Sequence, residues 1–186
     1  MWLMTIRVGA WEKSILWEDK IKQIMSVKLE RHEFNIMILV RLVEGLLITL
    51  VEEMNNWNIK KIIILENSIK IMFKDIDSAC ARAPMYRPRY YLLNAYYKFI
   101  RGKKLQAFIS LNKALEIAKQ FTHGCMIVWA EHTRNHWKGT LDPKYVNYWV
   151  EHTEDDNLLD YRDFDEEGKG MIVPFTLPLP RDLERY

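Results

Sequence analysis

The stretch that decides the fold is Pro88-Arg-Tyr-Tyr-Leu-Leu-Asn-Ala-Tyr-Tyr-Lys-Phe-Ile-Arg-Gly-Lys-Lys-Leu-Gln-Ala-Phe-Ile-Ser-Leu-Asn-Lys-Ala-Leu-Glu-Ile-Ala-Lys-Gln-Phe121. It reads as two antiparallel helices joined at Gly102. The first carries Leu92, Ala95, Tyr96 and Phe99 on one face, and the second carries Ala107, Phe108, Leu111, Ala114, Leu115, Ala118 and Phe121. Both follow the three-and-four spacing of a one-sided helix. Gly102 can take the left-handed conformation that ends the first helix. Small residues at Ala107 and Ala114 let the two backbones approach closely.

Outward from this pair the same periodicity recurs. A helix is expected from Trp11 towards Leu29, with Trp17, Ile21, Ile24 and Met25 on one face. Arg31-His32-Glu33 reads as a break. A longer helix is expected over Asn35 to Asn55, striped by Val40, Val43, Leu47, Leu50, Val51 and Met54. Asn55-Asn56-Trp57-Asn58 is a turn whose asparagines suit capping. Ile59 to Ala83 shows Ile62, Ile69, Met72, Phe73, Ile76 and Cys80 at helical spacing. Ile62-Ile63-Ile64-Leu65 alone reads as a strand, but the longer pattern around it favours a helix. Pro84 and Pro88 make Ala83 to Pro88 a linker, because each disfavours helix at the residue before it. Thr122-His123-Gly124 closes the central pair. A last helix runs from Cys125 to about Lys138, with Met126, Trp129, Ala130, Thr133 and Trp137 inward, and Gly139 closes it. Residues 1 to 10 carry no clear pattern.

The expected fold is all-α: an irregular array of antiparallel helical hairpins over residues 1–140, each burying its stripe against the next. Residues 141–186 are expected to hold a short helix started by Asp142-Pro143 and then an acidic, mostly irregular tail. Pro174, Pro178 and Pro180 interrupt any regular element there.

Composition fits a packed domain. Of 186 residues, 49% are hydrophobic, too many for a disordered chain. The net charge of +2 hides an asymmetry, because residues 151–186 carry −7 and the remainder +9. Nucleic-acid binding is not expected, since the lysines are spread along the helices and not concentrated on one. Cys80 and Cys125 read as free, mostly buried thiols in a reducing, cytoplasmic setting. Met1 to Ala10 lacks the apolar run and cleavage site of a secretory leader. Ile36 to Val51 is the most apolar stretch. Arg41 and Glu44 interrupt it, and its uninterrupted runs fall far short of the ~20 residues a membrane span needs.

No catalytic constellation emerges. His132 and His136 share a helical face and would hold zinc only if a third ligand converged. The pair is read as structural or surface, with zinc binding the alternative. Asp163-Phe-Asp165-Glu-Glu167-Gly168 has the first half of a calcium loop, but Pro174 stands where the closing glutamate belongs. Gly102-Lys103-Lys104 lacks the other residues of a phosphate loop. No serine sits in a nucleophile elbow. No catalytic, cofactor-binding or metal-ligating residue, and no cofactor, is assigned.

The central pair resembles a tetratricopeptide unit, a helical hairpin of about 34 residues. Ala95, Gly102, Ala107, Leu111 and Ala114 form the repeat-packing signature, and Tyr91 stands for the large aromatic of the first helix. Lys119 replaces the closing proline. The segment from Tyr86 to Gly139 is also similar to the extreme C-terminal helical region of the soluble (type 10) adenylyl cyclases. Arg87-Pro-Arg-Tyr-Tyr-Leu-Leu-Asn-Ala-Tyr, Gly102-Lys-Lys-Leu-Gln-Ala, Leu111-Asn-Lys-Ala-Leu-Glu-Ile-Ala and Trp129-Ala-Glu-His-Thr carry that resemblance. It implies a non-catalytic regulatory or scaffolding segment of a cyclic-AMP-forming enzyme, in contact with a protein partner or with the rest of a cyclase-like chain. A free-standing adaptor is the alternative, and a metal-dependent hydrolase using His132 and His136 is a third class.

Overall fold

The computed structural model describes residues 2–7, 9–26, 33–140 and 177–181. The acidic stretch, the calcium-loop-like segment and the helix expected after Asp142 lie outside the described residues.

The described chain is all-α, with no strand. Its helices are α1 (Trp2–Arg7), α2 (Trp11–Ser26), α3 (Glu33–Asn55), α4 (Ile59–Cys80), α5 (Arg87–Ile100), α6 (Lys104–Gln120) and α7 (Gly124–Trp137). A single 3-10 turn, Pro84–Tyr86, leads into α5. No described helix is long and apolar enough to cross a membrane.

The stripes read from spacing on α3 and α4 are the buried faces of those helices. Val40, Val43, Leu47, Leu50, Val51 and Met54 of α3 each keep at most 1% of their surface. On α4, Ile62, Ile69, Met72, Phe73, Ile76 and Cys80 are buried, whereas Ile63 and Ile64 point outward. One-sided burial excludes the strand reading of that run. Asn58 caps α4, its side-chain oxygen accepting from the Lys61 amide.

α5 occupies the middle. It packs most closely on α6 and also touches α3, α4 and α7. Leu92, Leu93, Ala95, Tyr96 and Ile100 are enclosed. Phe73 of α4 meets Tyr90 and Tyr97 of α5 at centroid distances of 5.8 and 5.9 Å. Towards α6 and α7, Phe99 stacks on Trp137 at 4.1 Å, and Phe108 sets its edge against both. Such ring contacts are directional and add to area burial.

Three details differ from the pattern-based expectation. Ala83 to Pro88 is not an open linker. The 3-10 turn passes directly into α5, with Arg87 helical at φ −55° and ψ −42°. Pro88 falls in the first turn of α5, where no intrahelical donor is required of it. Gly124 does not end α6 but begins α7, and Thr122 takes the left-handed turn position at φ +51°. Residues 2–7 form α1, which a six-residue stretch without long periodicity does not announce. Its place against α3 depends on Gly45, where a Cβ would come within 2.3 Å of the Trp2 ring.

Candidate functional site: a groove holding Leu177–Arg181

α3, α5 and α7 together present a groove, and a segment distant in sequence lies in it. α3 contributes its last residue, Asn55. α5 contributes Leu92 and Tyr96, one turn apart on the same face. α7 contributes His132, Thr133, His136 and Trp137, spaced so that all lie on one side. Leu177 reaches among the α5 and α7 residues, beside a residual cavity of about 10 Å³, the room of a single water.

The segment is fixed through its main chain. The Tyr96 hydroxyl donates to the Pro178 carbonyl. The Arg181 amide donates to Asn55 Oδ1 at 2.9 Å. Leu177 is 6% exposed and Pro180 is buried, while Pro178 faces out. Burial drives the Tyr96 phenol far above its ordinary pKa, so it stays protonated and remains a donor. A hydroxyl so enclosed requires an acceptor, and the carbonyl supplies it.

His132 is buried and its ring lies 6.5 Å from that of His136. Desolvation, and then the neighbouring His136, lower its pKa, so the imidazole is held neutral. Among the described residues no group of three His, Cys, Asp or Glu side chains could hold a metal ion. Cys80 is buried, and burial followed by the charge of Asp77 pushes its thiol up to about 11. Such a thiol is not a nucleophile at neutral pH. Cys125 is exposed.

Sequence reading passed over the most polar feature of the core. Glu44 is 1% exposed, and its carboxylate accepts from both Arg7 and Arg89. The Arg7 Nε lies 2.8 Å from Glu44 Oε1. Arg89 in turn lies over the Trp129 ring at 5.1 Å. α1, α3, α5 and α7 are thereby joined through one carboxylate. Charge in the apolar stretch Ile36–Val51 was the available signal, but its partners stand tens of residues away.

A second concavity of about 550 Å³ lies among α1, α2, α3 and α4, walled by Trp2, Ile6, Trp11, Ile21, Leu46 and Leu65. Of its rim charges, Lys61 meets Glu53 at 2.8 Å and Lys22 meets Glu18 at 3.6 Å, while Glu52 accepts from the Asn56 side-chain amide at 3.1 Å.

Ala95, Ala107 and Ala114 have no exposed surface, Leu111 is 1% exposed, and Gly102 is left-handed at φ +72°. None of them lines the cavity beside Leu177. The chain matches no protein-family model, no curated protein and no solved structure.

Proposed function

We propose that the chain is a non-catalytic helical scaffold, a tetratricopeptide-like array of antiparallel hairpins of the kind it resembles at the C-terminal end of soluble (type 10) adenylyl cyclases. Its role is regulatory or structural, in the cytoplasm, through contact with a protein partner or the rest of a cyclase-like chain.

The α5–α6 contact carries this reading. Phe99 meets Phe108, Lys98 donates to Ser110 Oγ at 2.8 Å, and Lys113 lies over Tyr91 at 4.4 Å. Residue numbers fall along one helix as they rise along the other, as a hairpin requires. Alanines without exposed surface at 95, 107 and 114 permit the close approach. The cyclase reaction needs metal-binding carboxylates presented by a catalytic sheet. The described residues are helical and include no strand.

Purified chain incubated with ATP and magnesium or manganese is expected to form no cyclic AMP. Turnover that disappears on a point substitution within this chain would overturn the reading. The free-standing adaptor is the second reading, favoured by the groove around Leu177–Arg181. An in-frame upstream coding region for paired cyclase domains decides for the cyclase segment, and its absence decides for the adaptor.

A further inference from the structure

Leu177-Pro178-Leu179-Pro180-Arg181 lies against the helices as a peptide ligand lies in a receptor. It has no regular secondary structure up to Pro180 and turns at Arg181. The groups that grip it address its main chain, the Tyr96 hydroxyl on the Pro178 carbonyl and Asn55 Oδ1 on the Arg181 amide. Neither contact depends on which side chains the segment carries. Selection comes from the pocket beneath Leu177, formed by Leu92, His132 and Trp137, and from the prolines. Proline has no amide, so at the buried position 180 no donor is left seeking a partner. Its fixed φ also holds the segment extended before docking, which lowers the entropy lost on binding.

We propose that this groove is a binding site for Leu-Pro-x-Pro segments, that Leu177–Arg181 occupies it in cis, and that a partner protein displaying a segment of the same chemistry takes its place. The site names the partner class of the scaffold proposed above and rests on that reading. Tethering places the internal segment at an effective concentration of the order of millimolar. A partner segment with ordinary peptide affinity is therefore kept out until the internal one leaves. The partner's side chain at the Leu177 position is apolar, because the neighbouring His132 is buried and held neutral. A cation there would find no acid among the lining residues to pair with.

The test uses the full chain and a fluorescein-labelled peptide of its own residues 174–184, followed by fluorescence polarisation. Wild-type chain is expected to bind at least tenfold more weakly than a Leu177→Lys chain, whose internal segment cannot seat. Adding Asn55→Ala or Tyr96→Phe to that variant should weaken the peptide several-fold. Equal binding by wild type and Leu177→Lys, or binding by neither, overturns the proposal. Should Leu177→Lys lose its helical circular dichroism, wild type is read instead. Excess unlabelled peptide must then speed hydrogen exchange at the Arg181 amide at least tenfold, and unchanged exchange overturns the proposal. A chain that remains helical and fails these tests loses this site alone. The scaffold reading is judged separately, by substitution in the α5–α6 seam.

Discussion

Glu44 sits among the enclosed side chains of α3, and the guanidinium groups of Arg7 and Arg89 make its charge tolerable there. Removing one member of a buried ionic group leaves the others unpaired at a cost of about 3–5 kcal/mol. Arg89 remains partly in water, so Glu44→Gln is expected to cost about 3 kcal/mol, read as a lower midpoint in urea unfolding. The triple change Glu44→Met, Arg7→Met, Arg89→Met removes all the charges together and is expected to be near neutral by the same measurement. His132 gives the second residue-scale expectation. Its folded pKa lies below the unfolded value, so its contribution to stability is complete above the unfolded pKa of about 6.5 and is lost as pH falls through the lowered folded value. Melting temperature should therefore drop on acidification from pH 7.5 to 5.5, and the drop should shrink in His132→Gln. In the sequence Glu44 registered only as a charge that breaks an apolar run, and His132 as one of a pair read as structural or surface before zinc-binding, with no sign of which neighbours enclose it. Their surroundings are contributed by other helices.

Helices whose burial is one-sided were legible because spacing and burial are then the same information. The stripes of α3 and α4 coincide with their enclosed residues. α2 is less plain, since Trp17, Ile21 and Ile24 are only half-buried and Ile15 and Leu16 face outward. α1 was not legible, because its position depends on the close approach of Trp2 to Gly45 and not on a pattern of its own. Substituting Ala107 by Leu tests the element scale directly. Ala107 has no exposed surface, so on the hairpin reading a leucine there must overpack the contact with α5, at a cost of about 1–3 kcal/mol by urea unfolding. A neutral result would remove the hairpin reading of α5 and α6.

Across the described residues, α5 is the helix that α3, α4, α6 and α7 share, and Leu177–Arg181 closes the groove at its side. The all-α class followed from local periodicity. The groove did not, because its occupant stands 82 residues from Tyr96 and 126 from Asn55, and no pattern relates them. The acids of residues 151–176 lie outside the described residues, and the described contact is made by leucine, proline and main chain. Native-state hydrogen exchange on the full chain tests the account most directly. The expected result is slowest exchange at the α5 amides from Leu92 to Ile100, faster exchange along α2, and an Arg181 amide protected well beyond that of a free peptide. α5 amides exchanging as fast as those of α2, with Arg181 unprotected, would contradict an α5-centred scaffold that holds an extended segment.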